Sequence, residues 1–221
     1  MTQPAVEARA RASLGASGEA IYRMVAEAIA ARHPGGGTLL DVGCGSGRLW
    51  PFVRGRFGRY VGVDAVRYDG FPADGELHAA DLDAQVLPFA DAAEVVAAVE
   101  TIEHLENPRA FVRALVRAAR PGGWVIVTTP NQLSLLSRGT LLAKGEHNAF
   151  RDGSYPAHIT ALLEVDLRRI AAEAGLQEVA VEFSGRGRVP GGGRHYPRWL
   201  SRLWPRGLSD NLLLAGRKPG G

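Results

Sequence analysis

The stretch from Leu39 to Leu49 reads Leu-Leu-Asp-Val-Gly-Cys-Gly-Ser-Gly-Arg-Leu, and it restricts the possible folds more than any other part of the chain. An apolar strand runs into Gly43, Gly45 and Gly47, and a helix is expected on the far side. A second apolar run, Tyr60 to Val63, ends in Asp64. A strand, a glycine turn and an acid closing the next strand make a nucleotide-type site at the end of a parallel sheet. Glycine lets the backbone come close to a ligand where a Cβ would collide. The expected helix would offer unpaired N–H groups to a polar group. Asp64 can accept from both hydroxyls of a ribose, so the pattern suits an adenosine-bearing ligand.

Two ligand classes drop out on spacing. The dinucleotide pattern needs a third glycine one place beyond Gly47, where Arg48 stands. A nucleoside triphosphate loop needs Lys-Ser/Thr after the glycines, and Arg48-Leu49 follow instead. The glycine segment resembles motif I of the class I S-adenosylmethionine (SAM)-dependent methyltransferases. The likeness continues in order through Ala79 to Asp83, Leu87 to Asp91, Glu94 to Leu105 and Arg120 to Asn131. Its subgroup is similar to the methyltransferase type 11 and ubiquinone O-methyltransferase-like enzymes. The resemblance is close over 38–131 and looser over 155–183.

The chain has 221 residues, 46% of them apolar, which suits one domain with a substantial core. Residues 1–37 read as N-terminal cap helices, starting near residue 4, and 38–221 as the SAM-binding domain. The expected fold is α/β and Rossmann-like, with a seven-stranded, mostly parallel sheet and helices on both faces. Strands are expected at 38–42, 59–63, 76–80, 94–99, 123–128, 176–183 and from Asn211 to Leu214. Helices are expected at 108–119, 133–142 and 163–174. Only residues 65–75 join the second and third strands, and they include Gly70, Pro72 and Gly75. A parallel crossover usually takes a dozen or more residues and a helix, so the second crossover helix should be reduced to a turn or loop.

The resemblance implies SAM as cofactor and S-adenosylhomocysteine as product. It places Asp41, Gly43, Cys44, Gly45 and Gly47 around the methionine end, and Asp64 and Ala65 at the ribose. Asp81 and Leu82 fall by the adenine, and Val99 and Glu100 by the sulfonium. Cys44, the lone cysteine, reads as a small packing residue, and Tyr22 as core packing that could touch the ligand. A helix starting near Glu100 would put Glu100, Glu103 and His104 on one face. Three roles stay open for this set: a divalent ion with His158 or His147 as a further ligand, a metal-free base or substrate contact at His104, and structural packing. His104 and Glu103 are taken as the catalytic pair, and no metal ligand is assigned. Asn131, closing the fifth strand, is either an acceptor contact or a turn residue.

Exclusions narrow the acceptor. Methylation at C5 of a pyrimidine usually needs a thiolate to attack C6, and no thiol other than Cys44 is present; the loop of amino-N DNA methyltransferases is missing after Val99-Glu100. The pI is 9.3, yet the net charge is only +3 and most arginines fit solvated helix faces. A small-molecule, glycan- or lipid-linked acceptor is expected, with oxygen as the receiving atom. Nucleic acid is disfavoured, although an RNA 3′-terminal 2′-O-methyltransferase using a metal, or a non-catalytic SAM-binding protein, are the rival readings. Residues 194–206 interleave arginine with Trp199 and Trp204, as a peripheral membrane contact or a segment packed over the sheet would. Without a signal pattern or a long apolar run, a cytoplasmic location is expected.

Overall fold

The computed structural model describes residues 10–11, 13, 15–84 and 86–221, so the expected helical start at 4–9 lies outside the described residues. Seven strands form one sheet: β1 (Thr38–Val42), β2 (Arg59–Asp64), β3 (Glu76–Ala79), β4 (Ala93–Ala98), β5 (Ala119–Pro130), β6 (Gln177–Phe183) and β7 (Asn211–Arg217). Their order is β3-β2-β1-β4-β5-β7-β6, with β7 antiparallel to both its neighbours. The expected α/β class, with seven strands in one mostly parallel sheet and helices on both faces, holds.

Alternation along the strands assigns the core. Leu39, Val95, Ala97 and Ile126 point to one face, where helix α1 (Glu19–Arg32) and the short helix α2 (Trp50–Val53) pack. Leu40, Val96, Val125 and Val127 point to the other, under α3 (Pro108–Ala118) and, further along, α5 (Glu164–Glu173). Adjacent residues on a strand face opposite sides, so near-continuous apolar runs are what a sheet covered on both faces requires. Asn107 caps α3, accepting from the Ala110 N–H at 3.0 Å, and Pro108 starts it. Helix α4 (Leu135–Lys144) and a short α6 (Arg198–Leu203) belong to the loops at the strand ends. Among the described residues no helix is long and apolar enough to cross a membrane.

Three local expectations are corrected. No helix begins at the glycine turn. Gly45 and Gly47 have φ of +52° and +72°, which a right-handed helix excludes, and α2 starts only at Trp50 and runs four residues. β5 starts at Ala119 instead of 123, because Ala119 pairs with Ala93 before a register shift brings Trp124 opposite Val95. β7 runs on to Arg217, pairing with the whole inner half of β5. The second crossover behaves as expected: residues 65–75 form turns without a helix.

Candidate active site

The carboxyl ends of β1, β2 and β4 open into a cavity of about 250 Å³. Asp41, Gly43, Cys44, Gly45, Asp64, Ala65, Asp81, Leu82, Val99, Glu100, Glu103 and His104 all line it. Gly47 does not. Its open side faces Pro72, which with Phe71 belongs to the loop that replaces the second crossover helix. Gly47 is therefore a packing glycine, made necessary by its positive φ and by that loop.

The glycine turn satisfies itself. Gly43 and Cys44 donate to the Val63 carbonyl at 2.7 and 3.2 Å, Ser46 to Gly15 at 3.0 Å, and Gly47 to Cys44 at 2.8 Å. The Gly45 N–H goes to Asp64 Oδ2 at 2.8 Å. The expected row of free N–H donors is thus absent from this turn. A Cβ on Gly43 would collide with Thr101, and one on Gly45 with the Gly15 backbone, so both glycines are set by close approach as well as by positive φ.

Cavity electrostatics are one-sided. Asp41, Asp64, Asp81, Asp83, Glu100 and Glu103 line it, and no Lys or Arg does so among the described residues. Asp41 is buried and accepts from the Tyr60 hydroxyl at 2.8 Å. Burial pushes its carboxyl up to about 7, with the Tyr60 bond opposing and Asp64 adding to the rise. Burial likewise raises Asp64, against the N–H bonds from Gly45 and Val66. Phosphate would meet only repulsion here, whereas a ligand bearing an ammonium and a sulfonium would supply the missing countercharge. SAM is such a ligand. Burial pushes the Cys44 thiol up, as befits a packing residue.

The second part of the site follows β4. The helix expected at Glu100 does not form, because Glu100 takes φ of +50°, a conformation a non-glycine residue adopts at a cost of about 1–3 kcal/mol. A 3₁₀ turn over Ile102–His104 follows instead. Glu100 is turned toward β5 and β7: its N–H donates to Thr128 Oγ1 at 2.9 Å, and the Asn211 amide donates to Glu100 Oε2 at 2.7 Å. Glu103 is fully buried and accepts from Thr129 Oγ1 at 3.1 Å. One oxygen of each glutamate, Oε1, is buried without a hydrogen-bond partner. Burial raises both carboxyls, and Glu100 raises Glu103 further.

His158 arrives from far along the chain. The N–H groups of Ile159 and Thr160 both donate to the Glu103 carbonyl at 3.0 Å, which ties the segment to the turn. The rings of His104 and His158 lie 4.8 Å apart, edge to face. His104 Nδ1 is 2.8 Å from the Ala157 carbonyl and His158 Nδ1 is 2.6 Å from that of Ala149. A carbonyl only accepts, so each ring carries its proton on Nδ1 and its lone pair on Nε2. Burial lowers the His158 pKa, which keeps that ring neutral. Glu103, His104 and His158 each offer a ligand atom within 4.8 Å of the others. Imidazoles oriented by carbonyls, beside an unpartnered buried carboxylate oxygen, are a donor set that fits a divalent ion. His147, the other candidate, instead lies 3.1 Å from Ser137 Oγ.

Tyr22 is buried on α1 and also lines the cavity, its hydroxyl accepting from Ser17 N–H at 2.8 Å. Asn131 is spent on structure: its amide donates to the Arg206 and Ser209 carbonyls, and its oxygen accepts from Leu133. Sequence reasoning missed Thr101, Thr128, Thr129 and Asn211. A threonine pair facing a buried Glu-x-x-Glu was a readable signal; the partner on β7 was not.

A family model described as a methyltransferase domain matches residues 18–181. A ubiquinone biosynthesis O-methyltransferase from Thiobacillus denitrificans is 29% identical over 162 residues, 64% of this chain and 65% of that protein. One from Hydrogenovibrio crunogenus is 30% identical over 106 residues, 43% of each. The matches thus span under two thirds of these curated relatives. Among solved structures, a SAM-dependent methyltransferase from Archaeoglobus fulgidus superposes with a TM-score of 0.63 at 15% identity, over 89% of this chain and 94% of that one. The chain belongs to the methyltransferase-domain family and has the fold of the class I SAM-dependent enzymes.

Proposed function

We propose that this chain moves the methyl group of SAM to an oxygen of a small-molecule, glycan- or lipid-linked acceptor. The observation that supports this reading is the junction of an acidic, cation-matched cavity with the Glu100–Glu103–His104–His158 cluster. The cofactor, when bound, supplies the electrophilic sulfonium methyl. Asp64 takes the ribose hydroxyls, Asp41 the ammonium, and Asp81 and Leu82 the adenine side, while Val99 and Glu100 edge the sulfonium. His104, its lone pair set on Nε2 by Ala157, removes the acceptor proton. Glu103 stabilises the imidazolium that forms. Alignment of acceptor and methyl does the rest, an effect worth roughly 7–11 kcal/mol of barrier in well-oriented systems.

His104→Ala tests the role. S-adenosylhomocysteine should bind within about twofold of wild type, while methyl transfer falls by about 100-fold or more. Unchanged turnover contradicts the assignment.

A second reading gives the same residues a divalent ion. It is favoured by the carbonyl-oriented imidazoles and the unpartnered Glu103 Oε1. Glu103, His104 and His158 would hold the ion, which would acidify an acceptor hydroxyl. Saturable Mn²⁺ binding that disappears in Glu103→Ala supports it, and absence of binding removes it. A cytoplasmic setting and a peripheral membrane contact through 194–206 complete the proposal; Trp199 and Leu203 project from α6 at 65% and 74% exposure.

A further inference from the structure

A second cavity, of about 300 Å³, adjoins the first and shares Glu100 and His158 with it. A molecule in the second cavity would abut one in the first at the cluster where the proton is removed. Its walls come from the ends of β5 and β7, the start of α4, the 148–154 turns and the stretch around Arg188. Of these lining residues only Pro130 and Ala149 are apolar. A long hydrocarbon tail would find no wall to pack against.

The polar lining divides into framework and open functional groups. Gln132, Ser137 and Asn131 spend their side chains on one another and on nearby backbone, which makes the floor rigid. Arg188 is neutralised by Asp210, Nε to Oδ2 at 2.6 Å. Arg151 differs: its Nε donates to the Asn148 carbonyl at 3.1 Å, and no carboxylate pairs with it among the described residues. The cavity therefore has one uncompensated guanidinium at its rim and hydrogen-bonding groups within. A planar guanidinium anchored at one end presents its remaining N–H groups as a fork for a carboxylate or phosphate.

We propose that this cavity holds the methyl acceptor and that the acceptor is a polyhydroxylated ring bearing an anionic group, a sugar acid or a sugar phosphate. The proposal rests on the methyltransferase reading and adds the acceptor's chemistry. The ring hydroxyls meet Glu100, His158 and Asn211, and the anion meets Arg151.

The test uses the full chain saturated with S-adenosylhomocysteine, with binding followed by saturation-transfer NMR and transfer by labelled SAM. The probes are glucuronate, glucose 6-phosphate, glucose and 4-octylcatechol. Glucuronate or glucose 6-phosphate should bind and accept methyl, with glucose about tenfold weaker. Whichever anion binds more tightly identifies the group Arg151 selects. Arg151→Ala should bring the anionic sugars down to the level of glucose, while Arg109→Ala, at a residue that lies on α3, pairs with Glu173 and lines neither cavity, should leave them unchanged. Equal binding of charged and neutral sugars, or indifference to Arg151→Ala, overturns the proposal. So does preference for the octylcatechol, or failure of every sugar to bind. S-adenosylhomocysteine that does not bind at all marks instead the failure of the underlying methyltransferase reading.

Discussion

Asp41 is a buried acid on the cavity wall, partnered by the Tyr60 hydroxyl. Its carboxyl is held near 7 by burial, so it is largely protonated in mild acid and must ionise in a dry pocket above that pH. A carboxyl raised on folding contributes stability below its unfolded value and loses it as pH rises through the folded one. The free protein should therefore melt at progressively lower temperature between about pH 4 and 8. Asp41→Asn should flatten part of that slope; Asp64, Glu100 and Glu103, displaced the same way, supply the remainder. Cofactor binding has the opposite sign, because an ammonium binds the ionised form. Affinity for SAM should fall below pH 7 by up to about tenfold per pH unit, and this dependence should weaken in Asp41→Asn. Calorimetry across pH reads both effects, and a wild-type affinity independent of pH would contradict the placement of the ammonium.

At the scale of elements, the site is built by contacts distant in sequence. The turn after β4 is fixed from outside: Thr128 and Thr129 on β5 and Asn211 on β7 hold the two glutamates, and the 157–160 segment supplies His158. Asn211→Leu removes the amide that donates to Glu100 Oε2, and should cost about 1–3 kcal/mol in urea denaturation at pH 8. A smaller loss at pH 5, where Glu100 is protonated, is the accompanying expectation. A stability unchanged at both pH values would remove Asn211 from the site's support. Helix α6 gives a separate prediction. Trp199, Leu203 and Trp204 are exposed beside Arg198 and Arg202, an amphipathic arrangement suited to an anionic bilayer surface. Vesicles rich in phosphatidylglycerol should sediment the protein where phosphatidylcholine vesicles do not, and Trp199→Ala with Leu203→Ala should abolish it. Equal sedimentation by both vesicle types, or by neither, would leave α6 without this role.

For the whole molecule, what could be read in the sequence was what neighbouring residues decide. Mostly apolar runs at 38–42, 59–64 and 93–98 are strands because a sheet covered on both faces buries all but one position of each. The short 65–75 connection was legible from its length and its glycines and proline. The closeness of Glu103, His104 and His158 was reachable through the family likeness, yet the assumed helix was wrong, since nothing local announces a left-handed Glu100. Equally hidden was the self-satisfied glycine turn, whose N–H groups go to Val63, Asp64 and Gly15. The second cavity was illegible for the same reason, being assembled from five separated stretches. The central claim is a SAM-binding cavity with acidic walls, and titration of S-adenosylhomocysteine into wild type and Asp64→Ala tests it most directly. Saturable one-to-one binding by the wild type, weakened at least about tenfold in a variant that still unfolds cooperatively, is the predicted result. No binding by the wild type, or equal binding by the two proteins, would contradict it.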